Sequence, residues 1–532
     1  MGLGWLDAIV VLAYMTAMVA IGLRFARRQT TTEVYFVAKR SVPGWALSMS
    51  LLATIISAVT FIAYPGSGYA GNWSMLVPGA MVLVVLGFAG VVIIPFYRSV
   101  VRMSAYEYFE MRFGYPARAY SSAAFVIGSF TKMAFVVYLL ALTVASITGW
   151  RLEFVVVGVA IVTIFYTLLG GLHAVIWADV VQGFVLWFGI VVCVGYLFFR
   201  SPGGISAVLA LARANHKFDL GSSALIFSKP TIVVLSLYGF FWYLQKYTAD
   251  QTMVQRYLAA KSGKQAFRGL IIGAALCIPV WMLFMLIGTQ LWAFYRLTGE
   301  LLPSYITKPD QVFPYFIKTH IPAGIAGLFI AALFGAATAT LSSDLNCISV
   351  VVVEDFYCKL RPRATDQRRL HVAKCFVAIF GILAALSAIR LAHTQGTALS
   401  LWYTISAVVA GGLAGLFLLG FLSTRANRQG AYFGIAASLM FTTWATLTLD
   451  GGNIVNLGRC NFPLHDFMIG AVGHVVLLVV GYLASFLFHG SGENMHIEAL
   501  TIWGWLRDGA TRRDLLQYWR TEHENSSAQE KS

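Results

Sequence analysis

Residues 45–66 read WALSMSLLATIISAVTFIAYPG, an apolar run dotted with the hydroxyls of Ser48, Ser50, Thr54, Ser57 and Thr60 and closed by Pro65-Gly66. About twenty apolar residues are what one helix needs to cross a bilayer. Hydroxyls at that depth must find partners inside the protein, because lipid offers none. A span that is apolar enough to insert, yet hydroxyl-rich and stopped by Pro-Gly, predicts an interrupted helix. Interrupted helices at membrane depth line sites for ions and solutes.

The rest of the chain supports a membrane setting. Of 532 residues, 58% are hydrophobic and 11% charged, about half the charged fraction of a soluble protein. Further runs of the same length appear at Trp5–Leu23, Met75–Tyr97, Ser121–Ile147, Phe154–Gly170, Ala174–Phe199, Thr231–Leu244, Leu270–Tyr295, Gly324–Val353, Cys375–Ile389, Leu399–Leu422, Gly430–Leu449 and Phe467–Phe488. The fold class is therefore all-α, a polytopic membrane protein of about thirteen transmembrane helices. The first run lacks a basic segment before Trp5, unlike a cleavable leader. Cys193, Cys277, Cys347, Cys358, Cys375 and Cys460 form no CxxC pair, which excludes a zinc or disulfide framework.

The net charge of +15 does not indicate nucleic acid, because the basic residues are distributed by side of the membrane. With the N-terminus outside, 27 Lys and Arg fall on the inner segments and 10 on the outer ones. Positive charge favours the cytoplasmic side, so the expected topology is N-terminus outside and C-terminus cytoplasmic, in the plasma membrane. One cation fits neither side: Lys132, in the middle of the fourth run. Residues Ile502–Trp519 mix tryptophans, leucines and arginines. They read as a helix on the inner membrane surface or one packed on the cytoplasmic loops, ahead of a disordered end.

Setting aside the first run and the last two leaves ten, divided by the polar 200–230 segment into two groups of five. Each group opens on an irregular member: Trp45–Tyr64, and Thr231–Leu244, which at fourteen residues is too short to cross as a plain helix. Odd segments at matching places in two halves point to a midplane binding site, and an odd number of spans per group inverts the second group relative to the first. The expected organisation is a first peripheral helix and loop (1–40), the first five-helix repeat (41–200), an extracellular segment (201–230), the second repeat (231–423), two peripheral helices (424–490) and a cytoplasmic tail (491–532).

Ionisable residues at lipid depth are expensive and mark function by default. They are Lys132, Asp179 and Asp344; Asp250, Glu354 and Asp355 sit at span ends. The ninth run carries Thr338, Thr340, Ser342 and Ser343 beside Asp344 and Asn346. Hydroxyls, carbonyls and a carboxylate are the oxygen ligands that a hard cation takes. The competing reading is close helix packing by small residues.

Four stretches carry a resemblance. Gly170-Gly171-Leu172-His173-Ala174-Val175-Ile176-Trp177-Ala178-Asp179-Val180-Val181-Gln182 resembles a motif of the sodium:solute symporter family. Ser50–Phe61 is similar to that family's broken first core helix, Gln255–Lys261 to its loop after the sixth, and Thr340–Asn346 with Glu354-Asp355 to its eighth. The resemblance spans roughly residues 5–490. It implies a five-plus-five inverted repeat of the LeuT-like kind and a symporter that imports a small organic solute with one or two Na+ by alternating access.

By position, the resemblance implies a first sodium site at the backbone carbonyls of Ala53, Ile56 and Ala336 and the hydroxyl of Thr340. Ala339 stands where the family commonly has a second hydroxyl. A second sodium site would use Asp179, Ser342 and Ser343. Thr54, Ser57 and Thr60 face the break and are candidate solute ligands. Lys132 matches an arginine that holds the carboxylate in sialic acid carriers, which implies an acidic solute such as a sialic acid or monocarboxylate. The alternative for Lys132 is a structural ion pair with Asp344 or Asp179. No acid occupies Met75–Ala80, where the sugar carriers have one. His173 is expected to be solvated. The alternatives to sodium symport of an acid are a proton-coupled carrier and a sodium symporter of a neutral sugar or polyol. No HExxH or GxSxG motif indicates an enzyme. No organic cofactor, nucleic acid or obligate protein partner is implied; the partners are solute, Na+ and bilayer.

Overall fold

The structure, a computed structural model, describes residues 5–27, 29–392, 411–449, 455–488 and 494–507. It is helical, and among these residues the only β-type pairing is an isolated bridge between Val42 and Ala260. The first half holds α1 (Trp5–Ala26), α2 (Gly44–Ile55), α3 (Ala58–Ala70), α4 (Leu76–Val100), α5 (Tyr115–Thr148) and α6 (Leu152–Arg200). The second holds α7 (Ile232–Ala249), α8 (Gln251–Ala259), α9 (Gly263–Thr298), α10 (Ile325–Val351) and α11 (Asp366–Ala392), followed by α12 (Leu413–Leu422), α13 (Arg428–Leu447) and α14 (Met468–Leu487). Among the described residues seven helices are long and apolar enough to cross a membrane, or nine when two bent pairs count as spans. The run at Leu399–Leu422 falls partly outside the described residues.

The interrupted helix forms. α2 and α3 meet at 62° across Ile56 and Ser57, both in extended conformations (φ −82°, ψ 107° and φ −109°, ψ 174°). Ser57 and Thr60 make a reciprocal capping box that starts α3. The break thus lies at Ile56-Ser57, while Pro65-Gly66, expected to close the run, lies inside α3. Pro65 lies beyond the first turn, where its missing amide costs an intrahelical hydrogen bond; packing compensates, with Gly68 against Met285 and Gly288 of α9.

α6, at 49 residues, is two helices joined at Gly171 (φ 52°, ψ −153°). Its arms fold back on each other. Tyr166 donates to the Thr338 carbonyl at 3.1 Å, and Gln182 donates to the Thr338 hydroxyl at 3.0 Å. Residues sixteen apart would lie about 24 Å apart along a straight helix. The turn needs glycine: a Cβ on Gly171 would sit 2.7 Å from the Tyr35 ring, and its positive φ disfavours any L side chain.

α10 is the central helix. Nearly every residue from Ala326 to Val351 is buried, and it packs on α1, α5 and α6 while touching α2 and α3. Helices buried all round belong to the interior. Its first turn is capped from α1, where Asp7 accepts from the Gly324 and Gly327 amides at 2.6 Å each. The carboxylate satisfies two orphan donors at the positive end of the helix dipole.

α7 differs from expectation. It has 18 residues against the expected 14, because it runs on past Leu244 to Ala249, and this is enough for about 27 Å. The count stopped short of Lys246, whose charge is met one turn later by Asp250 at 2.8 Å. The irregularity lies just beyond: Asp250 is extended and caps α8, whose nine residues are all buried.

Candidate functional site

The break in the first core helix exposes backbone. The Ser57 amide turns to the Thr60 hydroxyl at 3.4 Å instead of the Ala53 carbonyl, and Ile56 is already extended. Carbonyls at a helix C-terminus lack intrahelical partners and carry the negative end of the dipole. Ala53 and Ile56 therefore present the oxygens a small cation takes. On α10, Thr340 donates to the Ala336 carbonyl at 3.1 Å, which joins the other two candidate ligands. Ala339 is buried, and its carbonyl accepts from Ser342 at 3.2 Å.

The second cluster gathers residues from four elements. Asp179, on the second arm of α6, and Arg256, on α8, are both fully buried and pair at 3.1 Å. Ser50 donates to the same Asp179 oxygen at 2.5 Å, and Arg256 donates to Ser50 at 3.1 Å, to Ser343 at 2.9 Å and to Thr54. Thr54 also lies 3.3 Å from Ser343 and donates to the Ser50 carbonyl. Of the expected second-site ligands, Asp179 and Ser343 share Arg256, while Ser342 turns its hydroxyl to its own helix. Asp179 Oδ2 is fully engaged, yet Oδ1 is buried and has no hydrogen-bond partner among the described residues. A buried carboxylate oxygen without a donor is costly and is the kind of atom a cation satisfies.

Thr54 thus belongs to the Asp179 cluster, while Ser57 and Thr60 stay at the break. Lys132, on α5, pairs with Asp344 of α10, its Nζ 2.9 Å from either carboxylate oxygen. The ion pair expected as the alternative does form. The lysine side chain is nevertheless 29% exposed, against 1% for Asp344. Lys246 and Asp250 lie close by, at 11% and 19% exposure. His173 is half-buried and stacked on Phe25 at 5.5 Å between ring centres.

Arg256 and Lys246 are the residues sequence reasoning missed. The resemblance gives Gln255–Lys261 as a loop after the sixth core helix, whereas residues 255–259 complete the helix α8. Its polarity is satisfied inside the protein: Gln255 donates to the Phe36 carbonyl and to Asn346 of α10, at 2.6 and 2.7 Å. The available signal was an arginine beside an acid-poor core that contains one unpaired aspartate. Beyond the membrane helices, the described part of the tail packs on the bundle: Trp503 donates to the Leu422 carbonyl, and Trp505 meets Phe96 edge-on. Residues 508–519 of the expected surface helix lie outside the described residues.

The profile of the sodium:solute symporter family matches residues 35–437. The sodium/sialic acid symporter NanT of Aliivibrio fischeri is 30% identical over 94% of this chain and 96% of its own. The sodium/sialic acid symporter SiaT of Proteus mirabilis is 32% identical over 91% and 96%. Sodium-coupled monocarboxylate transporter 2 of Bos taurus is 28% identical over 83% and 72%. Among solved structures, a Na+-coupled sialic acid symporter in a substrate-bound outward-open state superposes with a TM-score of 0.84 at 32% identity, over 92% of this chain and 99% of the other. The nucleobase-cation-symport transporter Mhp1 shares the fold, with a TM-score of 0.56 at 16% identity.

Proposed function

The chain belongs to the sodium:solute symporter family, and from that premise we propose that it carries a sialic acid or a related carboxylate together with two sodium ions. That it is a sodium-coupled symporter and a multi-pass membrane protein follows from the family and its relatives. Family and relatives are sodium-coupled, which speaks against the proton-coupled alternative.

One observation carries the solute class. Lys132 places a cation at membrane depth on a side chain that is 29% exposed, in a chain whose relatives at 30% and 32% identity are named as sialic acid symporters. An ionisable group held there at high cost marks a solute pathway, and a lysine is a point-charge partner for a carboxylate. Ser57 and Thr60 supply the hydroxyl-lined wall at the break, of which Ser57 is the more exposed, with Thr54 behind them in the Asp179 cluster. A polyhydroxylated acid suits such a lining.

The first ion would bind the carbonyls of Ala53, Ile56 and Ala336 and the Thr340 hydroxyl. The second would bind the open oxygen of Asp179, with Ser342 and Ser343 turning to it. The N-terminus would lie outside the plasma membrane and the C-terminus in the cytoplasm, with residues 41–200 and 231–423 as the two repeats.

The test is uptake of labelled N-acetylneuraminic acid into proteoliposomes under a sodium gradient, with choline in place of sodium as control. Expected is sodium-dependent uptake that is lost in Lys132→Ala. Uptake indifferent to choline would overturn the coupling. Competition by glucose but not by carboxylates, with Lys132→Ala unaltered, would favour a neutral sugar.

A further inference from the structure

Two lysines and two aspartates meet at the heart of the bundle, and the two aspartates are held differently. Asp250 is anchored. It accepts from Lys246 at 2.8 Å and from the Thr252 amide at 2.8 Å, and it also takes the Thr252 hydroxyl, so it serves as the N-cap of α8. Asp344 is loose. Among the described residues its one side-chain partner is Lys132, whose ammonium lies 2.9 Å from either oxygen. Lys246 interacts electrostatically with Asp344, and Lys132 with Asp250. The four charges sum to zero and sit on α5, α7, α10 and the α7–α8 junction.

A carboxylate arriving at Lys132 meets a cation that is already neutralised. Without rearrangement it would crowd Asp344, and two like charges around one ammonium repel. Pushing Asp344 away with nothing to receive it would leave a buried charge unpaired, at large cost. Lys246 is the other cation of the group: its side chain is 11% exposed, it interacts electrostatically with Asp344, and its present partner Asp250 is independently held by the Thr252 amide.

We propose that Asp344 is an exchangeable counter-ion: the solute's carboxylate takes its place on Lys132, and Lys246 holds the displaced Asp344 carboxylate. This rests on Lys132 being the carboxylate anchor. Asp344 then acts as an internal competitor that keeps the ammonium neutral when no solute is bound, so that the empty carrier carries no bare charge through the membrane. Lys246 is a positioning residue that need not touch the solute. A neutral solute cannot make the exchange, and so the same arrangement discriminates acids from sugars.

The experiment is calorimetric titration of the purified full-length protein in saturating sodium with N-acetylneuraminic acid and with its methyl ester, which lacks the carboxylate. Asp344→Asn, which removes the competitor, is expected to bind the acid at least tenfold more tightly. Lys246→Met, which keeps the stem and deletes the charge, is expected to bind the acid at least tenfold more weakly and the ester unchanged. In the Asp344→Asn background, Lys246→Met should alter the acid's Kd by less than about twofold, because there is no displaced charge to hold.

Equal weakening of acid and ester by Lys246→Met would make Lys246 merely structural and overturn the exchange, and this reading stands even should Asp344→Asn fail to fold. Asp344→Asn binding no tighter, with Lys132→Ala abolishing binding, would overturn the exchange alone. Lys132→Ala without effect would overturn the carboxylate reading beneath it.

Discussion

Replacing Asp179 with Asn separates two roles of one carboxylate. The side chain keeps its shape and loses its charge. Asp179 and Arg256 are both fully buried at 3.1 Å. Unit charges at that separation attract by about 5 kcal/mol at an effective dielectric constant of 20. Breaking a buried pair by removing one partner costs about 3–5 kcal/mol, because the survivor is left uncompensated. The sodium-free variant should therefore unfold at a clearly lower temperature. Adding Arg256→Gln should recover most of that loss, since an uncharged, hydrogen-bonded pair replaces the stranded guanidinium.

Transport should not recover. A tenfold sodium gradient supplies ~1.4 kcal/mol per ion, and each net charge crossing 100 mV adds ~2.3 kcal/mol. Two ions with a monoanion move one net charge and supply roughly 5 kcal/mol on the same arithmetic, enough for accumulation of several thousandfold. One ion with a monoanion moves no net charge and supports roughly tenfold accumulation. Both the single and the double variant should show a sodium Hill coefficient falling from near two to near one, with residual uptake that carries no current on a supported membrane. An unchanged Hill coefficient and current would refute the second sodium site at Asp179, whatever happened to stability.

Three further outcomes are expected. Ala339→Ser places a hydroxyl beside the Thr340 position on buried α10; as an added ligand worth about 1.4 kcal/mol it should lower half-saturating sodium about tenfold, read from the sodium dependence of initial uptake. Gly171→Ala puts a Cβ 2.7 Å from the Tyr35 ring at φ 52°, a conformation whose strain is about 1–3 kcal/mol, so the thermal midpoint should fall while the sodium Hill coefficient stays at its original value. Lys217, buried in the 201–230 segment with its ammonium 2.9 Å from the Tyr69 carbonyl, has its pKa pushed down to about 8 by burial and then by Arg296. Below pH 8 folded and unfolded states are both protonated and the folded one bears the cost. Between pH 8 and about 10.4 the unfolded chain binds more protons, so stability should rise with pH, and that rise should be absent in Lys217→Gln when unfolding is followed across the range.

How far the sequence could be read depended on where each polar group finds its partner. Apolar runs located the helices, because lipid length imposes a period that local composition reveals. The hydroxyls of Ser57 and Thr60 marked the break to within a turn, because their partners are the backbone of the same segment. The C-terminal end of α7 was misjudged at Lys246, where hydropathy counts a charge as an end although Asp250 neutralises it. The gap at 171–173 between the runs Phe154–Gly170 and Ala174–Phe199 is in the structure a single-residue hinge at Gly171, between arms that meet at Thr338. Arg256 stayed hidden altogether. Its partners Ser50, Asp179 and Ser343 lie far away in the chain, and no periodicity links them.

Those distant partners share a pattern that bears on transport. Two of the buried ion pairs join the first group of helices to the second at the candidate site: Lys132 of α5 to Asp344 of α10, and Asp179 of α6 to Arg256 of α8. The first group supplies one cation and one anion, and the second supplies the complements. Alternating access moves one group against the other about a fixed site, so each pair is a tie that the motion must either carry along or release. Release of either in a low-dielectric interior is unaffordable unless a substitute charge is present. A carboxylate is the substitute that fits Lys132, and a small cation is the one that fits Asp179. On the proposed function, solute and ion are therefore the two charges whose binding lets the halves separate, and this couples the fluxes without any direct contact between the cargoes.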